Sequence, residues 1–253
     1  MKIAVCVKQV PTREWQPRLN DDKTWIREQD VSYEMNEPDA YALEESLRLR
    51  EKHGGEVVVC SAGPTRVQQV IREALARGAD RAIHVEDNAL GGADAFAAAI
   101  ALAPAMADEQ FDLILTGLQS DDQGHAQFGP ILATRLGVPH STIIMEVLIE
   151  GSALRVKREL EGGWFQHVGM SLPALLTIQS GINQLRYATL KGIMAAKKKE
   201  IKKVAPSESV RSRQNVLALY HPTKSKQTVM IGGSPAEAAR ELVKRLREEA
   251  RVL

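Results

Sequence analysis

Residues Phe111–Pro139 read F-D-L-I-L-T-G-L-Q-S-D-D-Q-G-H-A-Q-F-G-P-I-L-A-T-R-L-G-V-P, and this stretch decides the fold. It opens with the apolar run Leu113-Ile114-Leu115, which has the length and β-character of a strand buried in a parallel sheet. At Gly117 the pattern breaks into small, polar and acidic residues. It resumes at Phe128 with Ile131, Leu132, Arg135 and Leu136 at helical spacing, and Gly137 stands where a helix would end. A strand, a polar loop and a helix start, in that order, mark the place where open α/β sheets bind ligands. The free N–H groups and positive dipole end of a helix's first turn suit a phosphate.

The loop is neither a P-loop, since no Gly-Lys-Ser/Thr follows, nor a G-x-G-x-x-G fingerprint. Asp121 and Asp122 also argue against a bare anion trap, because two carboxylates repel a phosphate at short range. Two readings are open here. One is a mixed site in which amides and Gln127 take a phosphate while the carboxylates take ribose hydroxyls or loop bonds. The other is a plain strand-to-helix turn in which Asp121 or Asp122 caps the helix.

Upstream, the pattern repeats. Ile3 to Val7 reads as a central strand, followed by K-Q-V-P-T-R-E-W as irregular loop. Trp15 and Trp25 flank a polar connection, where they either cover the core edge or meet a partner or an aromatic cofactor. Asn36-Glu37-Pro38-Asp39 is a helix start, with Asn36 as the expected N-cap and Pro38 in the first turn. That helix runs through Leu43 and Leu47 to Gly54-Gly55. E-V-V-V-C (56–60) is the next strand, and Ser61-Ala62-Gly63-Pro64 turns into a helix with core face Val67, Val70, Ile71, Ala74 and Leu75, closed by Gly78. Arg81 to Val85 is a third strand, and Ala93 to Met106 an Ala-rich helix disturbed near Pro104. This β-α alternation implies a parallel sheet with helices on both faces. The turns after Val7, Cys60 and Thr116 all lie at strand C-terminal ends, so they could converge on one crevice.

Beyond Glu146 the period changes. V-L-I-E-G-S-A-L-R-V-K-R-E reads as a hairpin turning at Gly151-Ser152, and Trp164–Val168 and Leu175–Gln179 as a second pair of extended runs. Residues 186–203 are strongly basic and read as a protruding loop that leaves Leu190, Ile193 and Met194 exposed between cations. With only Tyr187 as an aromatic, and no basic face elsewhere, the segment suits protein docking better than nucleic acid. Residues 204–230 look like an extended arm. Ser234-Pro235 with Glu237 has the form of a capping box, opening a helix with the apolar stripe Leu242, Val243 and Leu246. An arm and a terminal helix of this kind suggest packing on a second subunit.

Composition bounds the rest. A chain of 253 residues with 44% hydrophobic content buries a sizeable core, and a net charge of +1 gives no overall field for nucleic acid or membrane. No apolar run approaches the roughly 20 residues of a spanning helix. The opening M-K-I-A-V-C-V enters a strand directly, which together with two strand-borne cysteines, Cys6 and Cys60, reads as a cytoplasmic protein with buried free thiols. The six histidines are scattered, with only His125 in the candidate site, and no Ser/His/Asp, Cys/His or metal-ligand constellation is present.

Several segments together resemble the β subunits of the electron transfer flavoproteins along nearly the whole chain. They are A-V-C-V-K-Q-V at the start, M-N-E-P-D-A-Y-A-L-E-E (35–45), R-E-A-L-A-R-G-A-D-R-A-I-H-V (72–85), G-L-Q-S-D-D (117–122), V-K-R-E-L-E-G-G (156–163) and L-R-Y-A-T-L-K-G-I-M-A-A-K-K-K (185–199). The resemblance implies an adenine-nucleotide-hydrolase-like, Rossmann-like α/β fold without hydrolase activity. It divides the chain into a nucleotide-binding domain with hairpins (1–185), a partner-recognition segment (186–203), and an arm and helix packing on the α subunit (204–253). It implies a heterodimeric electron carrier whose FAD, held mainly by the α subunit, takes electrons from acyl-CoA dehydrogenases in fatty acid β-oxidation. A quinone oxidoreductase then receives them for the quinone pool. It also implies a structural AMP in this chain. Carried across, the cofactor-binding positions are Cys6, Asn36, Glu37, Pro38, Asp39, Ala62, and the loop Gly117, Leu118, Gln119, Ser120, Asp121, Asp122, Gln123, Gly124, His125, Ala126, Gln127 and Phe128. The partner-binding positions are Tyr187, Leu190, Ile193 and Met194, with Leu190 as the anchor and the lysines at 197–199 tuning partner choice.

One departure bears on the cofactor. AMP-binding members typically end the loop in Asn-Gln-Thr-Gly-Gln, whereas this chain has H-A-Q-F-G-P (125–130). The A-Q-x-G-P form is closer to members that carry a second FAD in the β subunit and bifurcate electrons from NADH, although the D-G-D-T and late G-L-x-G-S-P-T patterns of those members are absent. AMP is the leading expectation and a second FAD the alternative. A stand-alone nucleotide-binding module of stress-protein type shares only the fold and leaves the hairpins, basic segment and arm unexplained.

Overall fold

The computed structural model describes residues 1–14, 17–207, 210–222 and 228–253. Trp15, one of the two loop tryptophans, lies outside them. From the amino terminus, β1 (Lys2–Cys6) is followed by β2 (Gln9–Pro11) and β3 (Tyr33–Met35), which pair antiparallel as a small sheet of their own. The irregular loop expected after Val7 is therefore partly a hairpin arm. Three-residue strands hold too few positions for alternation to show in sequence.

Three β-α units build the frame. α1 (Glu37–His53) leads to β4 (Glu56–Gly63), α2 (Gln68–Arg77) to β5 (Arg81–Glu86), and α3 (Ala95–Ala107) to β6 (Leu113–Gly117). β4 continues through Ser61-Ala62-Gly63, which the sequence assigned to a turn, and Pro104 sits inside α3 without ending it. α4 (Phe128–Leu136) stops at Gly137, whose φ of 70° lies in the left-handed region that glycine enters at no steric cost.

The chain then forms an antiparallel meander of β7 (His140–Glu150), β8 (Ala153–Glu159) and β9 (Phe165–Ser171). The next strand, β10 (Ala174–Ile178), corrects the sequence reading. It does not form a hairpin with the run at Trp164–Val168 but returns to the middle of the sheet, parallel to β6 on one side and β7 on the other. Every residue of A-L-L-T-I is buried there, and the absence of alternation in that run is its signature. Finally come α5 (Leu190–Ala196), β11 (Ile201–Val204) beside β5, and α6 (Pro235–Glu248). Among the described residues, the main sheet has nine strands in the order β11-β5-β4-β1-β6-β10-β7-β8-β9.

Alternation along the strands divides the core. Ile3 and Val5 pack with Leu43 and Leu47 of α1 and Ile71 of α2, whereas Ala4 and Cys6 face Leu102 of α3 and Leu132 of α4 on the other side. Helices thus cover both faces, as the β-α alternation implied. The expected capping box of α6 is present, with Ser234 and Glu237 exchanging hydrogen bonds. Leu242 and Val243 on its stripe are exposed in this chain.

Candidate functional site

A cavity of about 740 Å³ opens where β1, β4 and β6 end. Parallel strands place their C-terminal ends on one rim, so the turns after Cys6, Gly63 and Gly117 meet there. Cys6 and Cys60 are paired in register on adjacent strands, and both border the cavity. Burial pushes the Cys60 thiol up to about 12 and raises that of Cys6 as well, so both are protonated thiols of low reactivity.

The loop after β6 is held by side chains from the connection between β1 and α1 and from the first turn of α1. Asn36 occupies the N-cap position of α1, but its side chain does not cap that helix. Its Nδ2 donates to the Gln119 carbonyl at 2.9 Å, and its Oδ1 accepts from the Asp121 N–H at 2.9 Å. Asp39, in the first turn of α1, accepts from the Lys8 N–H at 2.8 Å and the Gly117 N–H at 2.9 Å, tying the ends of β1 and β6 together. A Cβ on Gly117 would stand 2.4 Å from Asp39 Oδ1, so only glycine permits this approach. Burial raises the Asp39 carboxyl to about 7, against the lowering effect of these N–H donors, the Asn36 side chain and the nearby Lys8 ammonium.

Cations meet the two loop carboxylates. Lys8 Nζ reaches Asp122 at 2.7 Å and also bonds Ser120 and Gln123. Arg13 pairs with Asp121 at 3.2 Å and with Glu37, and those carboxylates, Asp121 first, raise its already high pKa. Neither aspartate caps α4, because Gln127 holds that N-cap position. The two carboxylates are thus held by cations of the β1–α1 connection.

The helix starts around the cavity differ. Asp94 caps α3 by accepting from Ala97 N–H at 2.7 Å. α4 has no side-chain cap, and Gln127 and Phe128 at its start border the cavity. α1 and α2 also lack a side-chain cap, and α1 meets Asp121 at its Glu37 N–H, whereas the donors and dipole at the first turn of α4 suit an anion. Its start is fixed by Gly129, where a Cβ would come within 2.4 Å of Thr177 Cγ2 on β10.

The structure brings the sequence-derived cofactor positions to this one cavity, except Glu37, Pro38 and Gly124, which do not line it. Glu37 pairs with Arg13, Pro38 packs beneath Gly117, and Gly124 makes a turn with φ 66° and an N–H bond to Ser120. Sequence reading missed Arg13, Arg66 and the segment Leu90–Asp94, all at the cavity wall, where Trp25 also lies. It also missed that the arm returns here. Ser212, Arg213 and Gln214 bond to Asp94, and Tyr220 and His221 line the mouth, so His125 is not the only histidine at the site. Lys8 could have been found from its place in A-V-C-V-K-Q-V; an arm without periodicity carries no such signal. Trp25 is half-buried, donates Nε1–H to Glu28 and packs on Gly92. Among the described residues, no cluster of three or more His, Cys, Asp or Glu is arranged to hold a metal.

A second surface lies on the α1–α2 side of the sheet. Tyr187 and Leu190 are 89% and 76% exposed, and Ile193 and Met194 are exposed beside them. The protruding loop expected here is the short helix α5, with Thr189 capping Gly192 N–H at 3.0 Å. Arg186, just before it, is clamped by Glu44 and Glu51. Lys199, expected among the lysines that face a partner, turns inward instead and donates to the carbonyls of Leu75 and Ala79.

Residues 23–209 match the family model described as "Electron transfer flavoprotein domain". The chain is 36% identical over 261 residues to "Electron transfer flavoprotein subunit beta" of Methylophilus methylotrophus, covering 98% of each chain. It is 39% identical over 257 residues to the protein of that name from Thermoanaerobacterium thermosaccharolyticum, covering 97% of this chain and 98% of the relative. The Homo sapiens protein of the same name is 35% identical over 261 residues, covering 100% and 99%.

Proposed function

We infer the role of this chain from the family to which it belongs, the electron transfer flavoproteins, among their β subunits. It is one subunit of a heterodimeric electron carrier, and its residues bind and orient while flavin supplies the redox chemistry. In this reading the FAD is shared with the α subunit. Electrons enter from acyl-CoA dehydrogenase-type flavoenzymes and leave through a quinone oxidoreductase of the same system.

The cavity fits a structural adenine nucleotide, AMP. The observation that carries this is the uncapped start of α4 at the cavity, beside a loop whose carboxylates are already paired with Lys8 and Arg13. Amides of the α4 first turn and the Gln127 side chain would hold the phosphate, and Cys6 and Ala62 at the strand ends would border the base. Asn36 and Asp39 serve as frame rather than as ligand contacts, since their polar atoms are occupied by the loop and by the Lys8 N–H. The face of Tyr187, Leu190, Ile193 and Met194 serves as the dehydrogenase docking surface. The arm and α6, with Leu242 and Val243 exposed, pack on the α subunit.

A second reading, an electron-bifurcating β subunit with a second FAD in the cavity, is favoured by A-Q-F-G-P at 126–130 and by a cavity of about 740 Å³. A stand-alone stress-type module does not account for a match to β subunits along the full chain. The test is anaerobic flavin reduction in the αβ heterodimer. Bleaching by an acyl-CoA dehydrogenase with its acyl-CoA, and not by NADH alone, is expected. Reduction by NADH alone would favour bifurcation, and a heterodimer that no flavin dehydrogenase reduces would refute the carrier role.

A further inference from the structure

α5 has only seven residues and carries Gly192 in its middle. A helix that short is far below the ~12–15 residues at which isolated helices become even marginally stable in water. Its form therefore depends on what holds it, and the contacts are specific. Arg72 of α2 uses one nitrogen, Nη1, to donate to the carbonyls of Ala196 at 2.5 Å and Lys199 at 2.8 Å, at and just beyond the end of α5. In return, Lys199 Nζ donates to the carbonyls of Leu75 at 3.1 Å and Ala79 at 2.5 Å, at the end of α2. Each helix thus supplies or precedes the cation that satisfies carbonyls at and just beyond the other's C-terminal end, where the dipole also favours positive charge. Between the two bonds, Gly192 lies so close to α2 that a Cβ would stand 2.3 Å from the Ala76 carbonyl oxygen, and Ala196 is buried.

We propose that Arg72 and Lys199 are positioning residues for the docking face, a reciprocal clamp that seats α5 on α2 so that Leu190, Ile193 and Met194 are presented ready-formed to the electron donor. The inference rests on the reading of that face as the dehydrogenase docking surface. Without the clamp, α5 frays, only a fraction of molecules display the face, and apparent affinity falls by that fraction while electron transfer inside the formed complex is untouched.

The test uses the flavin-loaded αβ heterodimer, with an acyl-CoA dehydrogenase and its acyl-CoA as electron donor. In Arg72→Ala, KM for the heterodimer should rise on the order of 10-fold, with kcat and flavin content at parental values. Amide exchange in 190–196 should lose protection while β1, β4 and β6 keep theirs. Arg72→Lys should recover most of the effect, because a single nitrogen makes both bonds. Gly192→Ala, which disturbs the seat without touching Arg72, should reproduce the rise in KM and the loss of protection. Leu190→Ala is the reference for docking itself. If Leu190→Ala raises KM but Arg72→Ala changes neither KM nor exchange in α5, the clamp is refuted and the docking reading stands. If Leu190→Ala leaves KM at the parental value, the docking reading fails and this proposal with it, whatever the exchange data show.

Discussion

Asp39→Asn should remove a pH dependence that the parent chain carries. The carboxylate is almost fully buried and its pKa is raised to about 7 by that burial. In the unfolded chain it titrates near ~3.9. Between these values the folded state holds a proton that the unfolded state has released, so stability falls as pH rises. It is fully present below about 4 and lost as pH passes through about 7. The slope reaches about 1.4 kcal/mol per pH unit, and from pH 5 to 8 the integrated loss is roughly 3 kcal/mol. Asparagine does not titrate. Its amide keeps one acceptor for the Lys8 or Gly117 N–H and loses the other, a constant offset on the order of 1 kcal/mol. Urea unfolding of parent and variant at pH 5, 6, 7 and 8 should therefore show the difference moving in favour of the variant by roughly 3 kcal/mol across the range. Parallel stability curves would refute the reasoning. They would mean that the two N–H donors and Lys8 outweigh burial and keep Asp39 ionised throughout.

Three further outcomes follow from the same contacts. Asn36→Ala, which cuts both bonds to the Gln119–Asp121 segment, should cost about 1–3 kcal/mol in urea unfolding and weaken nucleotide retention on dialysis. Gly129→Ala places a methyl against Thr177 and should cost about 1–3 kcal/mol, lowering the melting temperature and, by shifting the start of α4, the nucleotide content. Leu190→Ala removes an exposed anchor, so folding stability should stay within about 0.5 kcal/mol of the parent. Steady-state kinetics should show affinity for the dehydrogenase falling about 10- to 150-fold, the worth of burying one leucine in a partner.

The sequence made the frame legible where a run was continuously apolar, periodic or marked by a capping motif. Leu113–Leu115, the face from Val67 to Leu75, and the Ser234–Glu237 box all stand as read. β10 was misplaced because strand partners in a parallel sheet are set by crossover topology, and A-L-L-T-I carries no mark of which neighbours it joins. In the candidate site, residue types were readable but their obligations were not. Asn36 has the sequence context of an N-cap, and only the loop's arrival beside it reveals that its amide is spent there. Lys199 reads as one of the lysines that tune partner choice, yet the carbonyls of Leu75 and Ala79 claim it. Nor could the pattern show Tyr220 and His221 at the cavity mouth, since a segment without secondary structure has no period to place it.

The nucleotide content of the αβ heterodimer decides between a structural AMP and a second FAD in this cavity. The chain is co-expressed with its α subunit, the complex is acid-treated, and released nucleotides are quantified per heterodimer. One FAD and one AMP is the predicted result. Two FAD with no AMP would contradict the structural nucleotide and move the chain to the bifurcating class. A stable, homogeneous complex with neither would contradict the assignment of this cavity and of the flavin alike.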